Sequence, residues 1–171
     1  MNPIADPANV SISNLAAADL EPCEIYVDKE GDWHHKGNRI IREDIIDLFV
    51  QNLSLTEEGS YLIQIGQNRC VLDVADTPFV VSRVDLHRKE SSGEEEILLS
   101  LRHIAGVEAL EAATLYVGKE NVLYCRIRNG KFPARFSRPA YYQLAEWIEE
   151  DAATDGFYLE LNGRRHPIAA P

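Results

Sequence analysis

The chain has 171 residues, 45% hydrophobic and 26% charged, an ordinary globular composition with enough apolar side chains for one good core or two small ones sharing an interface. Its 17 Lys and Arg stand against 28 Asp and Glu, a net charge of -11. That balance argues against binding a nucleic acid polymer or an anionic membrane, since both need cations to neutralise phosphates, and no apolar run approaches the ~20 residues of a membrane span.

Residues 1–22, rich in Ala, Asn, Asp and Pro, read as a loose leader with one short helix over Asn14 to Leu20. The stretch from Met1 to Asp19 carries no Lys or Arg and no continuous apolar core, so it does not read as a signal peptide. Glu24 to Asp28 and Trp33 to Lys36 form a predicted hairpin around Gly31, where glycine supplies the positive φ of a tight turn. A helix is predicted from about Glu43 to Leu53, with acidic residues at its dipole-favoured start and Ile45, Leu48, Phe49 and Leu53 at helical spacing. Tyr61 to Ile65 and Cys70 to Val74 read as a second hairpin, and Asp76-Thr77-Pro78 breaks the pattern.

Phe79 to Arg88 and Glu95 to Arg102 read as two long strands, and His103 to Ala113 as either a short helical connection or an irregular strand edge. Val122 to Arg128 and Lys131 to Phe136 flank Asn129-Gly130, a strong two-residue hairpin signal. Pro139 sits where a first helical residue needs no N–H, so a second helix is predicted over Pro139 to Glu150, with Tyr141, Leu144, Ala145 and Ile148 as its apolar stripe. Phe157 to Leu161 and Arg164 to Ile168 close the chain around Asn162-Gly163.

The later elements repeat the earlier ones. An aromatic, two arginines, an apolar helix, a loop glycine, a Tyr-Leu pair and a turn glycine run from Trp33 through Arg39, Arg42, Leu48, Gly59, Tyr61-Leu62 and Gly66. The same series runs from Phe132 through Arg135, Arg138, Leu144, Gly156, Tyr158-Leu159 and Gly163. The fold read from this is α+β, two related β-rich lobes each with one helix, built on a duplicated β-β-α-β-β unit. The first lobe covers 23–77 and the second 78–171, with the repeat unit itself at about 122–168. Two-unit proteins often place their functional surface in the seam between units.

The arginines are the candidate site residues. Arg126, Arg128, Lys131, Arg135 and Arg138 cluster without an acidic neighbour inside an acidic protein, and guanidinium forks match phosphate or carboxylate oxygens. The repeated pairs Arg39/Arg42 and Arg135/Arg138 each precede a helix N-terminus, where backbone N–H groups also favour anions. The competing readings are a solvated strand face paired with Glu146, Glu149 and Glu150, and a structural arginine tied to Asp73 or Asp76. His34 and His35 point to opposite faces of a strand, and His87, His103 and His166 lack ligand spacing, so no metal is expected. The nucleophile-elbow, P-loop, dinucleotide and zinc-protease motifs are absent, which leaves an enzyme unsupported and calls for no cofactor. Three cysteines, Cys23, Cys70 and Cys125, are an odd number without CxxC spacing and read as unpaired thiols in a cytoplasmic protein.

The ordered set Val27-Asp28, Gly31-Asp32-Trp33, Gly37-Asn38-Arg39-Ile40, Arg42 and Leu48-Phe49 resembles a bacterial family known as domain of unknown function 1285. Val74 to Phe79 looks like its acidic-x-Pro-Phe signature, and Ala134 to Arg138 with Tyr142 and Leu144 like its segment before the last helix. The chain departs from the family pattern at Leu101-Arg102-His103-Ile104 and from Val107 to Thr114. The resemblance implies a duplicated core, a second domain like pleckstrin-homology folds, a nucleotide-type ligand site between domains, and signal transduction rather than catalysis. The expected function is thus a cytoplasmic sensor or adaptor that binds an anionic small molecule between its lobes, with Arg39, Arg42, Arg126, Arg128, Arg135, Arg138 and Trp33 as ligand-binding residues. The alternative is a protein-protein module docking through exposed aromatics such as Trp33, Phe132 and Trp147, and a weaker one is an enzyme of unknown reaction whose residues meet only in space.

Overall fold

Every strand of the first lobe is short, and hairpin turns force neighbours in sequence to become neighbours in space. β1 (Pro22–Val27), β2 (Trp33–His35) and β3 (Asn38–Arg39) precede α1 (Glu43–Gln51), and β4 (Leu53–Leu55), β5 (Tyr61–Ile65) and β6 (Asn68–Val74) follow it. They make one six-stranded sheet in the order β3-β2-β1-β6-β5-β4, antiparallel except where β1 runs parallel to β6. These come from a computed structural model, which describes residues 20–171. The expected leader and its short helix lie almost wholly outside the described residues.

The second lobe begins with β7 (Val80–Arg88), β8 (Glu95–Leu101), β9 (Val107–Ala109), β10 (Tyr116–Val117), β11 (Leu123–Ile127) and β12 (Phe132–Phe136). Their sheet has the order β10-β11-β12-β7-β8-β9, with β12 parallel to β7. After α2 (Arg138–Ala145), a separate three-stranded sheet is formed by β13 (Ile148–Asp151), β14 (Gly156–Leu161) and β15 (Arg164–Pro167). The ambiguous stretch from His103 to Ala113 resolves into a turn, strand β9 and the start of a 3-10 turn at Ala112–Thr114.

Both lobes show the duplicated α+β unit, and it is one strand longer than expected. A hairpin leads into a helix, and three antiparallel strands follow, β4-β5-β6 in one lobe and β13-β14-β15 in the other. The two copies then differ in their partners: β6 joins its own hairpin through β1, whereas the second hairpin joins β7 and leaves the last three strands as a sheet of their own.

Both helices correct their expected extents and faces. α2 stops at Ala145, and Ile148 to Asp151 is the strand β13, paired with β14 from Ile148↔Leu159 to Asp151↔Gly156. α1 buries Ile46 and Val50 and leaves Leu48 45% exposed, one residue out of phase with the expected stripe. The segment Ile45-Ile46 and Phe49-Val50 carries two overlapping apolar faces, and packing selects between them. The turn at Asn129-Gly130 also differs: Ile127 pairs with Phe132, so four residues form the loop, with left-handed φ at Arg128, Asn129 and Gly130.

A continuous apolar core joins the lobes. Trp33, Ile46 and Val50 belong to the same buried cluster as Phe79, Ile97, Phe132 and Leu144, and Phe79 packs on Phe132 at 5.1 Å between ring centroids. Gly31 sits where the lobes meet with φ +84°, and a Cβ there would come within 2.8 Å of a Val80 methyl. Only a glycine both takes that backbone conformation without strain and admits this approach. Second-lobe residues also hold α2: Ser137 caps its first turn through Ala140 N–H, and the Gln143 side chain accepts from Val84 N–H at 2.8 Å beside the irregularity in β7.

The expectation of three unpaired cysteines fails. Cys23 on β1 and Cys70 on β6 form a disulfide across the parallel pair, with Cα atoms 4.9 Å apart, and only Cys125 is free. Their separation of 47 residues hides the pairing from any local spacing rule, and strand topology creates it. The cytoplasmic expectation rested on the thiol count and loses that ground. Among the described residues no helix is long and apolar enough to cross a membrane.

Cys125 is fully buried, and burial, with Glu108 nearby, pushes its thiol up to about 12. A thiol reagent is therefore expected to find no reactive group in the folded protein, one after denaturation, and three after denaturation with reductant. Three thiols in the unreduced denatured chain would refute the disulfide. Opening that closed loop by Cys23→Ala with Cys70→Ala should cost about 2–4 kcal/mol of unfolding free energy, measured by denaturant melts.

Candidate functional site

The connector between the lobes is fixed by side chains that the strands of the second lobe present to it. In β12, Phe132, Ala134 and Phe136 are buried while Pro133 and Arg135 alternate to the other face. Arg135 donates to Asp76 Oδ2 at 2.9 Å, and the Tyr124 hydroxyl donates to the same oxygen at 2.8 Å. Burial and then Asp76 push the Tyr124 phenol up to about 12, so it stays a donor throughout the physiological range. Thr77, 1% exposed, donates through Oγ1 to the Pro133 carbonyl and accepts from Phe79 N–H.

A second cross-lobe cluster surrounds Asp32, at the end of the β1–β2 turn. Oδ1 accepts from Arg102 at 2.9 Å and Arg39 at 3.0 Å and lies 2.6 Å from His103 Nε2. Burial raises the Asp32 pKa, but His103, Arg102 and Arg39 outweigh it and hold the carboxyl below its ordinary 3.8. Arg102 and His103 follow β8, so this carboxylate ties the first hairpin to the second lobe.

Between these two clusters lies a cleft of about 560 Å³ whose wall carries four cations, Lys29, Arg102, Arg135 and Arg138, and two anions, Glu30 and Glu120. Lys29 reaches Glu120 at 3.6 Å across it. Arg102 and Arg135 are each held by a carboxylate. Arg138, the first residue of α2, has no hydrogen-bond or ion-pair partner among the described residues and lines the cleft beside Pro139 and Tyr141.

Of the residues singled out by sequence, the cleft thus gathers Arg135 and Arg138. Arg39 stands one carboxylate away, on Asp32. Arg42 caps α1 with its side chain turned out onto Asp44. Arg126 points outward and donates to its own turn at Gly130, whereas Arg128 turns inward, over the Phe79 ring at 5.1 Å and onto Glu108 at 3.2 Å. Neither meets Glu146, Glu149 or Glu150. Trp33 is fully buried, stacked near Phe49, with an indole N–H that has no partner among the described residues. Phe132 is buried as well and Trp147 half-buried against the core, so none of the three expected aromatics is a free docking anchor. Sequence reasoning missed Lys29 and Arg102: the first sits in a turn read only for its glycine, and the second in the stretch where the family pattern lapses.

No family model matches the chain, and no curated protein matches it. Its fold is shared with the crystal structure of a DUF1285 family protein from Silicibacter pomeroyi DSS-3, at TM-score 0.68 and 20% identity over 87% of this chain and 81% of that one. It is shared also with that of a DUF1285 family protein from Shewanella baltica OS155, at TM-score 0.58 and 16% identity over 73% and 91%. Both neighbours carry the family description that the ordered motifs suggested, and at these identities the likeness is one of fold. The motif segments fall at the seam: Val74 to Phe79 is the connector, and Ala134 to Arg138 supplies two of the cleft's three arginines.

Asp32→Asn keeps the shape of the first cluster and removes its charge. The variant is expected to lose about 1–3 kcal/mol at neutral pH, because Arg102 and Arg39 lose their shared carboxylate. Since the folded pKa is depressed, the wild-type contribution is present above 3.8 and disappears as pH falls through the lower folded value. The stability gap between the two proteins should therefore narrow below about pH 4. A gap that stayed constant into strong acid would show that Asp32 does not act through its charge.

Proposed function

We propose that the cleft between the lobes binds an anionic small molecule through phosphate or carboxylate oxygens, and that the protein is a non-catalytic sensor or adaptor in signal transduction. The observation that carries this reading is Arg138: a guanidinium without a partner among the described residues, in a cleft with three further cations, in a chain of net charge -11. A cation in such a chain finds carboxylates readily, and Arg102 and Arg135 have done so. The cleft's volume is that of small-molecule sites, about 300–1,000 Å³. A nucleotide-type ligand is the member of this class that the family resemblance implies. The same resemblance underlies the pleckstrin-homology-like reading of the second lobe, where a six-stranded and a three-stranded sheet accompany a single helix. A cytoplasmic setting would keep Cys23 and Cys70 reduced; neither lines the cleft, so the binding reading is the same in either compartment.

The test is a melting-temperature screen with nucleotides, pyrophosphate and inorganic phosphate. A probe at ~100 times its dissociation constant should add about 2.7 kcal/mol of stability. Arg138→Ala should weaken binding of an active probe roughly ten- to a hundredfold while leaving the melting temperature of the free protein nearly unchanged. Arg138→Lys should lose much of the affinity too, because an ammonium cannot reproduce the fork. Arg135→Ala, in contrast, should lower stability, since Asp76 is left with Tyr124 alone. A cleft indifferent to every probe, or affinity unchanged in Arg138→Ala, would refute the reading.

A further inference from the structure

The cationic cleft has an apolar neighbour. Asn121, Leu123 and Tyr141 line both it and a second cavity of about 480 Å³. Val117, Ala145, Ile148, Phe157 and Ile168 also line that groove, backed by Gly156, Ala170 and Pro171, and Asp155 is the one charged side chain among its described lining residues. Phe157 and Tyr141 are 55% and 42% exposed, so the groove presents aromatic surface to solvent at the border of a basic site. Apolar side chains gathered around a concavity with a few polar groups are the makeup of a small-molecule site.

We infer that the ligand is an anionic amphiphile, a single-chain molecule whose carboxylate or phosphate head lies among Arg138, Arg135, Arg102 and Lys29 and whose alkyl chain lies in this groove. The inference rests on the anion-binding reading of the cleft and names a different member of that class from the nucleotide. The groove favours a chain over a base. A base brings a polar edge that must be satisfied, and the side chains of the groove that could do so are Asn121, Asp155 and Tyr141. A chain needs no partner and gains with each methylene it buries.

The test titrates the whole protein with linear alkyl carboxylates and alkyl phosphates from four to ten carbons, below micelle-forming concentrations, beside inorganic phosphate, a nucleotide and decanol. The expected result is an affinity that rises roughly fourfold per methylene until the groove is full, and falls at least tenfold for every anion in Arg138→Ala. Phe157→Asp, at an exposed position, should flatten the chain-length dependence and spare inorganic phosphate; Ala145→Phe, which fills the groove, should do the same. Carboxylates and phosphates of equal chain length bracket the identity of the head. A flat chain-length series with phosphate or the nucleotide still bound overturns the amphiphile and leaves the anion cleft standing. Decanol binding as tightly as decanoate overturns the head-group assignment, and failure of every anion overturns both readings.

Discussion

The Thr77 hydroxyl is the contact on which the arrangement of the two lobes turns. Parallel pairing of β12 with β7 begins at Arg135↔Val80, two residues after Pro133, whose carbonyl would otherwise face a connector with no strand to offer. Thr77 Oγ1 donates to that carbonyl at 2.6 Å and accepts Phe79 N–H at 3.3 Å, so one side chain stands in for a strand neighbour on both sides. Buried main-chain groups left unpaired are costly, and this hydroxyl satisfies two of them where the chain passes from one lobe to the other. Asp76 beside it fixes Tyr124 and Arg135, and Arg135 forms part of the cleft wall.

Seen from that connector, the repeated arginines divide by chemistry. Arg39 and Arg135 occupy matching places in the repeat and both end on a carboxylate at the seam, Asp32 and Asp76. Arg42 and Arg138 match in sequence yet not in frame: Arg42 is the N-cap of α1, while Ser137 caps α2 and makes Arg138 its first helical residue. That one-residue shift turns Arg42 outward onto Asp44 and leaves Arg138 facing the cleft. Duplication supplied two equivalent residues, and the difference in capping separated a surface ion pair from a candidate ligand contact.

The same frame problem explains what could be read from the sequence. Turn glycines, the connector proline and the start of each helix were legible because backbone sterics and capping are local. The strand Ile148 to Asp151 was not, because Ile-Glu-Glu-Asp has no strand pattern and α2 ends at Ala145 without a glycine to mark the stop. The inward turn of Arg128 depends on its left-handed φ and on Glu108, some twenty residues distant. Burial of Trp33 depends on α1 folding over it, and Lys29 and Arg102 enter the cleft only through the meeting of the lobes. Local chemistry was visible, and everything that required two segments to meet was not.

The two parallel pairings carry a kinetic meaning. Antiparallel neighbours here are joined by short turns, but β1 must wait for β6 and β7 for β12 across most of a lobe. Such closures cost chain entropy before any contact rewards them, and they slow folding. The bond from Cys23 to Cys70 spans one of the two. An oxidised chain therefore begins with the ends of its first lobe already together, and a reduced one must find both long-range partners by diffusion.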